Sequence, residues 1–236
     1  MRFDDAEAVL FDLDGVLTPT AAVHMRAWEL MFRQYFAEHG IDPPYTDADY
    51  FTHVDGRPRY DGVRATLASR GVYLPEGTPS DPPGATTVCG LGNAKNELVN
   101  QLLAVEGVEP YPGSVRLLDE LDRRGVPMAV VSSSRNAPAV LEAAGLGGRF
   151  PVIVDGVVAA AQHLAGKPAP DTFLRAAELL GVPPGRAVVV EDAVSGVAAG
   201  RAGGFGLVIG VDRGAGPDAL VQGGADVVVR DLGELL

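Results

Sequence analysis

Residues 6–20, AEAVLFDLDGVLTPT, decide how the chain is read. An apolar run ends in two aspartates two positions apart, Asp12 and Asp14, followed by a glycine. Carboxylates at the mouth of a buried strand are costly unless a cation or hydrogen bonds compensate them. In an open α/β sheet, ligands bind at the carboxyl ends of the strands. The aspartate pair therefore marks a candidate site, provided that the rest of the chain builds such a sheet.

Five further apolar runs, at 126–133, 149–155, 186–192, 205–212 and 225–231, are short and do not alternate with polar residues. That pattern predicts strands of a parallel sheet covered on both faces. Helical patterns lie between most of them. In PGSVRLLDELDRRG (112–125), Ser114 is the expected N-cap, Leu117, Leu118 and Leu121 face inward, and Arg123 and Arg124 precede a terminating Gly125. PDTFLRAAELLG (170–181) repeats the plan, with Asp171 as cap and Gly181 as stop. Strands alternating with helices of this size predict a doubly wound, Rossmann-like α/β core.

The alternation fails between residues 20 and 111. Helices are expected at 21–40, 59–71 and 93–107, each closed by a glycine, and the Pro- and Gly-rich stretch 74–92 reads as a loop. The expected organisation is an α/β core domain of residues 1–19 and 112–236, with an all-helical domain of residues 20–111 inserted directly after the first strand.

The bulk numbers exclude several classes. A net charge of −12 over 236 residues argues against a broad nucleic-acid surface. No apolar run is long enough for a transmembrane helix. The single cysteine, Cys89, excludes an internal disulfide and is expected to be a small buried residue in a reducing cytoplasm. The expected protein is cytoplasmic, a monomer or weak homo-oligomer, and works on small molecules. An acidic protein handles anionic substrates by recruiting a divalent cation and a few placed basic side chains.

Three later strand ends are also polar: SSSRN (132–136), DG (155–156) and ED (191–192). Together with FDLDGVLT (11–18), VVSSS (130–134), GKPAPD (166–171) and VVVEDAVSGVAAG (188–200), they make the chain resemble the haloacid-dehalogenase-like phosphotransferases, within them the β-phosphoglucomutase-like branch. In that branch the helical insertion is a cap domain. The resemblance implies that Asp12 is a nucleophile forming an aspartyl-phosphate and Asp14 a general acid and then base. It implies that Ser132 and Lys167 hold the phosphoryl oxygens. Mg²⁺ would sit on Asp12, the Asp14 backbone, Glu191 and Asp192. Each feature also has an ordinary structural reading: a lysine before a Pro-x-Pro turn, a serine strand exit, acids capping the next helix.

A halide leaving group needs no proton, so an acid at the second aspartate argues for phosphoryl transfer over dehalogenation. The resemblance further implies substrate-contacting residues in the cap, Thr20, His24, Arg59, Lys95 and Asn96, with Arg135 and Asn136 on the core side. Phosphate grips in both core and cap suit a hexose-phosphate mutase, whose bisphosphate intermediate must rebind with its ends exchanged. A sugar-phosphate phosphatase is the alternative, and a non-catalytic phospho-ligand or signalling module the second. Pro19 at the core–cap linker and the long 72–92 stretch depart from the branch pattern and bear on cap motion and sugar choice.

Overall fold

The computed structural model describes residues 3–236. The chain divides into two compact units, residues 20–107 and the remainder.

The unit of residues 20–107 is helical, with no strand among the described residues: α1 (Thr20–His39), α2 (Asp47–Asp49) running into a π-helical turn (Tyr50–Val54), α3 (Arg59–Ala68) and α4 (Val88–Glu106). Its core is aromatic. Trp28, Phe32 and Phe36 recur at four-residue spacing along one stripe of α1 and are buried with Tyr45, Val63, Leu67 and Leu91. Phe32 stacks on Trp28 and on Tyr45, with ring centroids 5.5 and 5.1 Å apart. Helix α4 starts five residues before the expected position. Thr87 caps it, its hydroxyl accepting a hydrogen bond from the Gly90 N–H at 2.9 Å, which draws residues 88–92 out of the expected loop. Gly90 and Gly92 hide this turn in the sequence because glycine is a poor helix former.

The other unit is an α/β layer structure. Six parallel strands, β1 (Ala8–Phe11), β2 (Met128–Val131), β3 (Val152–Val154), β4 (Ala187–Glu191), β5 (Leu207–Val211) and β6 (Val227–Val229), form one sheet in the order β3-β2-β1-β4-β5-β6. Helices α5 (Pro112–Arg124), α6 (Ala137–Ala143), α7 (Gly156–Ala161), α8 (Asp171–Leu180), α9 (Val194–Ala202) and α10 (Pro217–Gly223) connect or cover the strands. β1, β2 and β4 are wholly buried, as the unbroken apolar runs require. The order places β1 between β2 and β4, so the carboxyl ends of these three strands lie side by side.

Two expected caps are corrected. Ser114 lies inside the first turn of α5, which opens with Pro112; its hydroxyl instead donates to the Val16 carbonyl at 2.7 Å. Asp171 is the first residue of α8, with Pro170 at the cap position, and its carboxylate accepts from the Ala165 N–H. Both helices end as expected, at left-handed Gly125 and Gly181. Among the described residues, no helix is long and apolar enough to cross a membrane.

One ion pair in the helical unit is buried enough to matter for stability. The Arg70 guanidinium donates to both carboxylate oxygens of Asp49 at 2.5 and 2.7 Å and lies over the Phe36 ring. Those hydrogen bonds, with help from the Thr46 N–H and hydroxyl, hold the Asp49 carboxyl down at about 2. A carboxylate depressed on folding stabilises above its ordinary value near 4 and loses that contribution as pH falls towards 2. Urea unfolding of wild type and Asp49→Asn should therefore differ most above pH 4, and the gap should shrink by about 2 kcal/mol as the pH is lowered.

Candidate active site

The strand order assembles the site. Asp12 directly follows β1, its N–H donating to the Val190 carbonyl at 2.9 Å. Ser132 directly follows β2, Glu191 is the last residue of β4, and Asp192 follows it. All four are buried. Lys167 comes from the loop before α8, whose Phe173 lies in the core under the sheet and carries the lysine head group 4.9 Å above its ring.

Lys167 is 3% exposed, and its three ammonium protons are fully used. They go to Asp12 Oδ1 at 2.5 Å, Glu191 Oε1 at 2.6 Å and the Val131 carbonyl at 2.9 Å. Burial by itself would push the ammonium towards neutrality, but the Asp12 and Glu191 charges outweigh it and hold Lys167 above the ordinary lysine value. Glu191 uses its second oxygen to accept from the Ala193 N–H at 2.9 Å, so the lysine is held by an acid that is itself held.

The carboxylates outnumber the lysine. Asp12, Glu191 and Asp192 each offer an oxygen, and these oxygens lie within 4.8 Å of one another. Burial raises Asp12 well above the ordinary carboxylate value, with Lys167 opposing and the Glu191 and Asp14 charges adding to the rise. A cluster of hard oxygens carrying more negative charge than its one ammonium neutralises fits a divalent cation. Asp14 is in a different setting. It is half-buried, two residues beyond Asp12, and its carboxylate lies 3.5 Å from the Ser132 hydroxyl, which also accepts from the Ser134 N–H. Two neighbouring carboxylates in unlike environments can take unlike roles.

The helical unit brings together two other pairs. Lys95, 4% exposed, places Nζ 2.9 Å from His24 Nδ1 and 4.9 Å from the Trp28 ring centroid. An ammonium only donates, so with Lys95 charged the imidazole is neutral and carries its proton on Nε2. Arg59 donates to the Asn96 side-chain carbonyl at 2.6 Å. Thr20 is buried at the start of α1. On the α/β unit, Arg135 is exposed and Asn136 half-buried at the N-cap of α6. Cys89 is buried and burial raises its thiol, which suits a packing residue.

Several contributors have no sequence signature. The Val131 carbonyl is a backbone group, and Phe173 reads only as core. Tyr60 donates to the Asn93 side chain at 3.1 Å between α3 and α4 without belonging to any motif.

The geometry agrees with the comparisons. Residues 6–204 match the haloacid dehalogenase-like hydrolase family. A β-phosphoglucomutase of Mycobacterium bovis is 51% identical over 245 aligned positions, covering 99% of this chain and 92% of that one. The Bacillus subtilis β-phosphoglucomutase is 34% identical, covering 97% and 91%. Among solved structures, CbbY of Rhodobacter sphaeroides in complex with xylulose-(1,5)bisphosphate superposes with a TM-score of 0.74 at 28% identity, over 97% of this chain and 96% of that one. The chain belongs to the haloacid dehalogenase-like hydrolase family. It is an enzyme, a phosphotransferase or phosphatase, and a homologue of β-phosphoglucomutase.

Gly196 tests the support behind Lys167. A Cβ at that position would stand 1.8 Å from Glu191 Oε1. Gly196→Ala should therefore displace the Glu191 carboxylate from Lys167. Activity should fall by about 10- to 100-fold while the far-ultraviolet circular dichroism stays unchanged.

Proposed function

We propose that the protein is a Mg²⁺-dependent hexose-phosphate mutase of the β-phosphoglucomutase type, with the unit of residues 20–107 acting as its cap. The observation that carries this reading is the 51% identity to a β-phosphoglucomutase over 99% of the chain. The likeness therefore includes the helical unit and is not confined to the phosphoryl-transfer machinery of the sheet.

The buried cluster supports the chemistry. Asp12 attacks phosphorus, its O–P bond forming as the bond from phosphorus to the sugar oxygen breaks. Asp14 gives its proton to the departing oxygen and later takes one from the attacking hydroxyl. The Ser132 hydroxyl donates to a phosphoryl oxygen. Lys167 offsets the repulsion between two anions, which is the main obstacle to attack by a carboxylate. Mg²⁺, held by Asp12, the Asp14 carbonyl, Asp192 and Glu191, would supply further positive charge at the phosphoryl group. Arg59, Lys95 and Asn96, with Arg135 and Asn136, would bind the sugar and the phosphate that is not transferred; Lys95 would also fix the His24 tautomer, and Thr20 would line the same region. The substrate is a soluble sugar phosphate, and the enzyme is read as a cytoplasmic monomer or weak homo-oligomer.

The family's hydrolase description favours one second reading, a sugar-phosphate phosphatase on the same fold. Product analysis separates the two. Given a hexose 1-phosphate with a trace of hexose bisphosphate, the mutase should form the 6-phosphate isomer in large excess over inorganic phosphate; predominant phosphate release would establish the phosphatase. In either case Asp12→Asn should lower turnover by more than about 1,000-fold. Mg²⁺ should also raise the melting temperature of the metal-stripped protein, and Asp192→Asn should reduce that rise.

A further inference from the structure

The residue that follows Asp14 is a glycine with φ +88°, in the left-handed region. Glycine is the least restrained backbone unit, so an acid/base group beside one is poorly aimed unless the glycine is tied on both sides. Here it is. The Gly15 N–H donates to the Thr18 carbonyl at 2.7 Å, within the tight turn that follows β1. The Gly15 carbonyl accepts from Arg213 Nε at 2.8 Å, from 198 positions away in the sequence.

Arg213 is itself fixed from two other directions. Its Nη1 donates to the Arg230 carbonyl at 2.9 Å, beyond β6. Its guanidinium carbon lies 3.8 Å from the centroid of the Tyr111 ring, a cation–π contact. Tyr111 in turn donates its N–H to the Leu17 carbonyl at 3.0 Å, so the stacking partner is tied to the same turn that the guanidinium holds. One planar side chain thus links the segment after β5, the segment after β6, the start of α5 and the peptide next to Asp14.

We propose that Arg213 is a positioning residue for the acid/base step: by clamping the Gly15 carbonyl, with Tyr111 bracing the clamp, it fixes the backbone from which Asp14 projects. The described contacts of Arg213 are with Gly15, Arg230 and Tyr111, not with Asp12, Lys167 or Glu191. Its loss should therefore affect proton delivery to the leaving oxygen and spare attack on phosphorus. The inference rests on the assignment of Asp14 as general acid made above.

The test exploits the leaving group. Single-turnover phosphorylation of Asp12 is measured with acetyl phosphate and with a hexose 1,6-bisphosphate. In both, the Asp12–phosphorus bond forms and a phosphorus–oxygen bond breaks. Acetate departs as a stable anion and needs no proton, whereas the sugar oxygen must receive one. Arg213→Gln should slow the sugar reaction by about 30- to 100-fold and the acetyl phosphate reaction by less than about 3-fold. Tyr111→Leu should show the same selectivity more weakly. Arg213→Lys, whose ammonium can still donate to the Gly15 carbonyl but lacks the planar fork, should recover part of the sugar reaction relative to Arg213→Gln. Should Arg213→Gln fail to fold, the selectivity of these two variants decides the matter. Equal losses with both donors, or no loss with either, would overturn the proposal. Asp14→Ala runs alongside: selectivity there but not in the clamp variants refutes the clamp alone, while its absence in Asp14→Ala refutes the acid assignment as well.

Discussion

A buried ammonium with three strand ends around it organises the α/β unit. Lys167 gives one proton to the carboxylate after β1, one to the last carbonyl of β2 and one to the last side chain of β4. These strands are adjacent in the sheet, so the lysine caps its centre. An unpaired lysine could not stay charged there, and unpaired acids could not stay ionised; each makes the other tolerable. Broken pairs of this kind are far costlier than the net worth of intact ones, so the arrangement acts as a constraint on geometry more than as a source of stability.

In the proposed reaction, that constraint separates two kinds of work. Asp12 is buried and paired with Lys167, which suits a group whose oxygen must meet phosphorus along one line. Asp14 is half-buried on a glycine-containing turn. Proton transfer needs a group that is aimed, and the hydrogen bonds on both sides of Gly15 restrain the turn that carries Asp14. The difference between neighbouring aspartates comes from burial, partners and backbone context, since the residues are chemically identical.

Much of the fold was legible because strong local signals agreed. All six strands form within the apolar runs, and glycines close α1, α3, α4, α5 and α8. What was missed depended on partners remote in sequence. Ser114 looks like a cap until the Val16 carbonyl, 98 positions away, is seen to take its hydroxyl proton. The first turn of α4 was hidden by two glycines that a threonine cap overrides. At the site, the acids and Lys167 could be named from motifs, but not that Glu191 divides its oxygens between the lysine and the Ala193 N–H. Arg213 stands in an unremarkable turn after β5, and only tertiary structure brings it to Gly15.

The stitching of Tyr111 to Leu17 and of Ser114 to Val16 has an evolutionary consequence. Where the chain leaves the sheet and where it returns are hydrogen-bonded neighbours, so the sheet experiences everything between them as a closed loop. Loop-closure entropy grows only logarithmically with length, so insertions of very different size cost the host fold nearly the same. The helical unit also brings its own aromatic core. Such a junction lets a lineage exchange one inserted module for another while leaving the charge cluster of the sheet untouched.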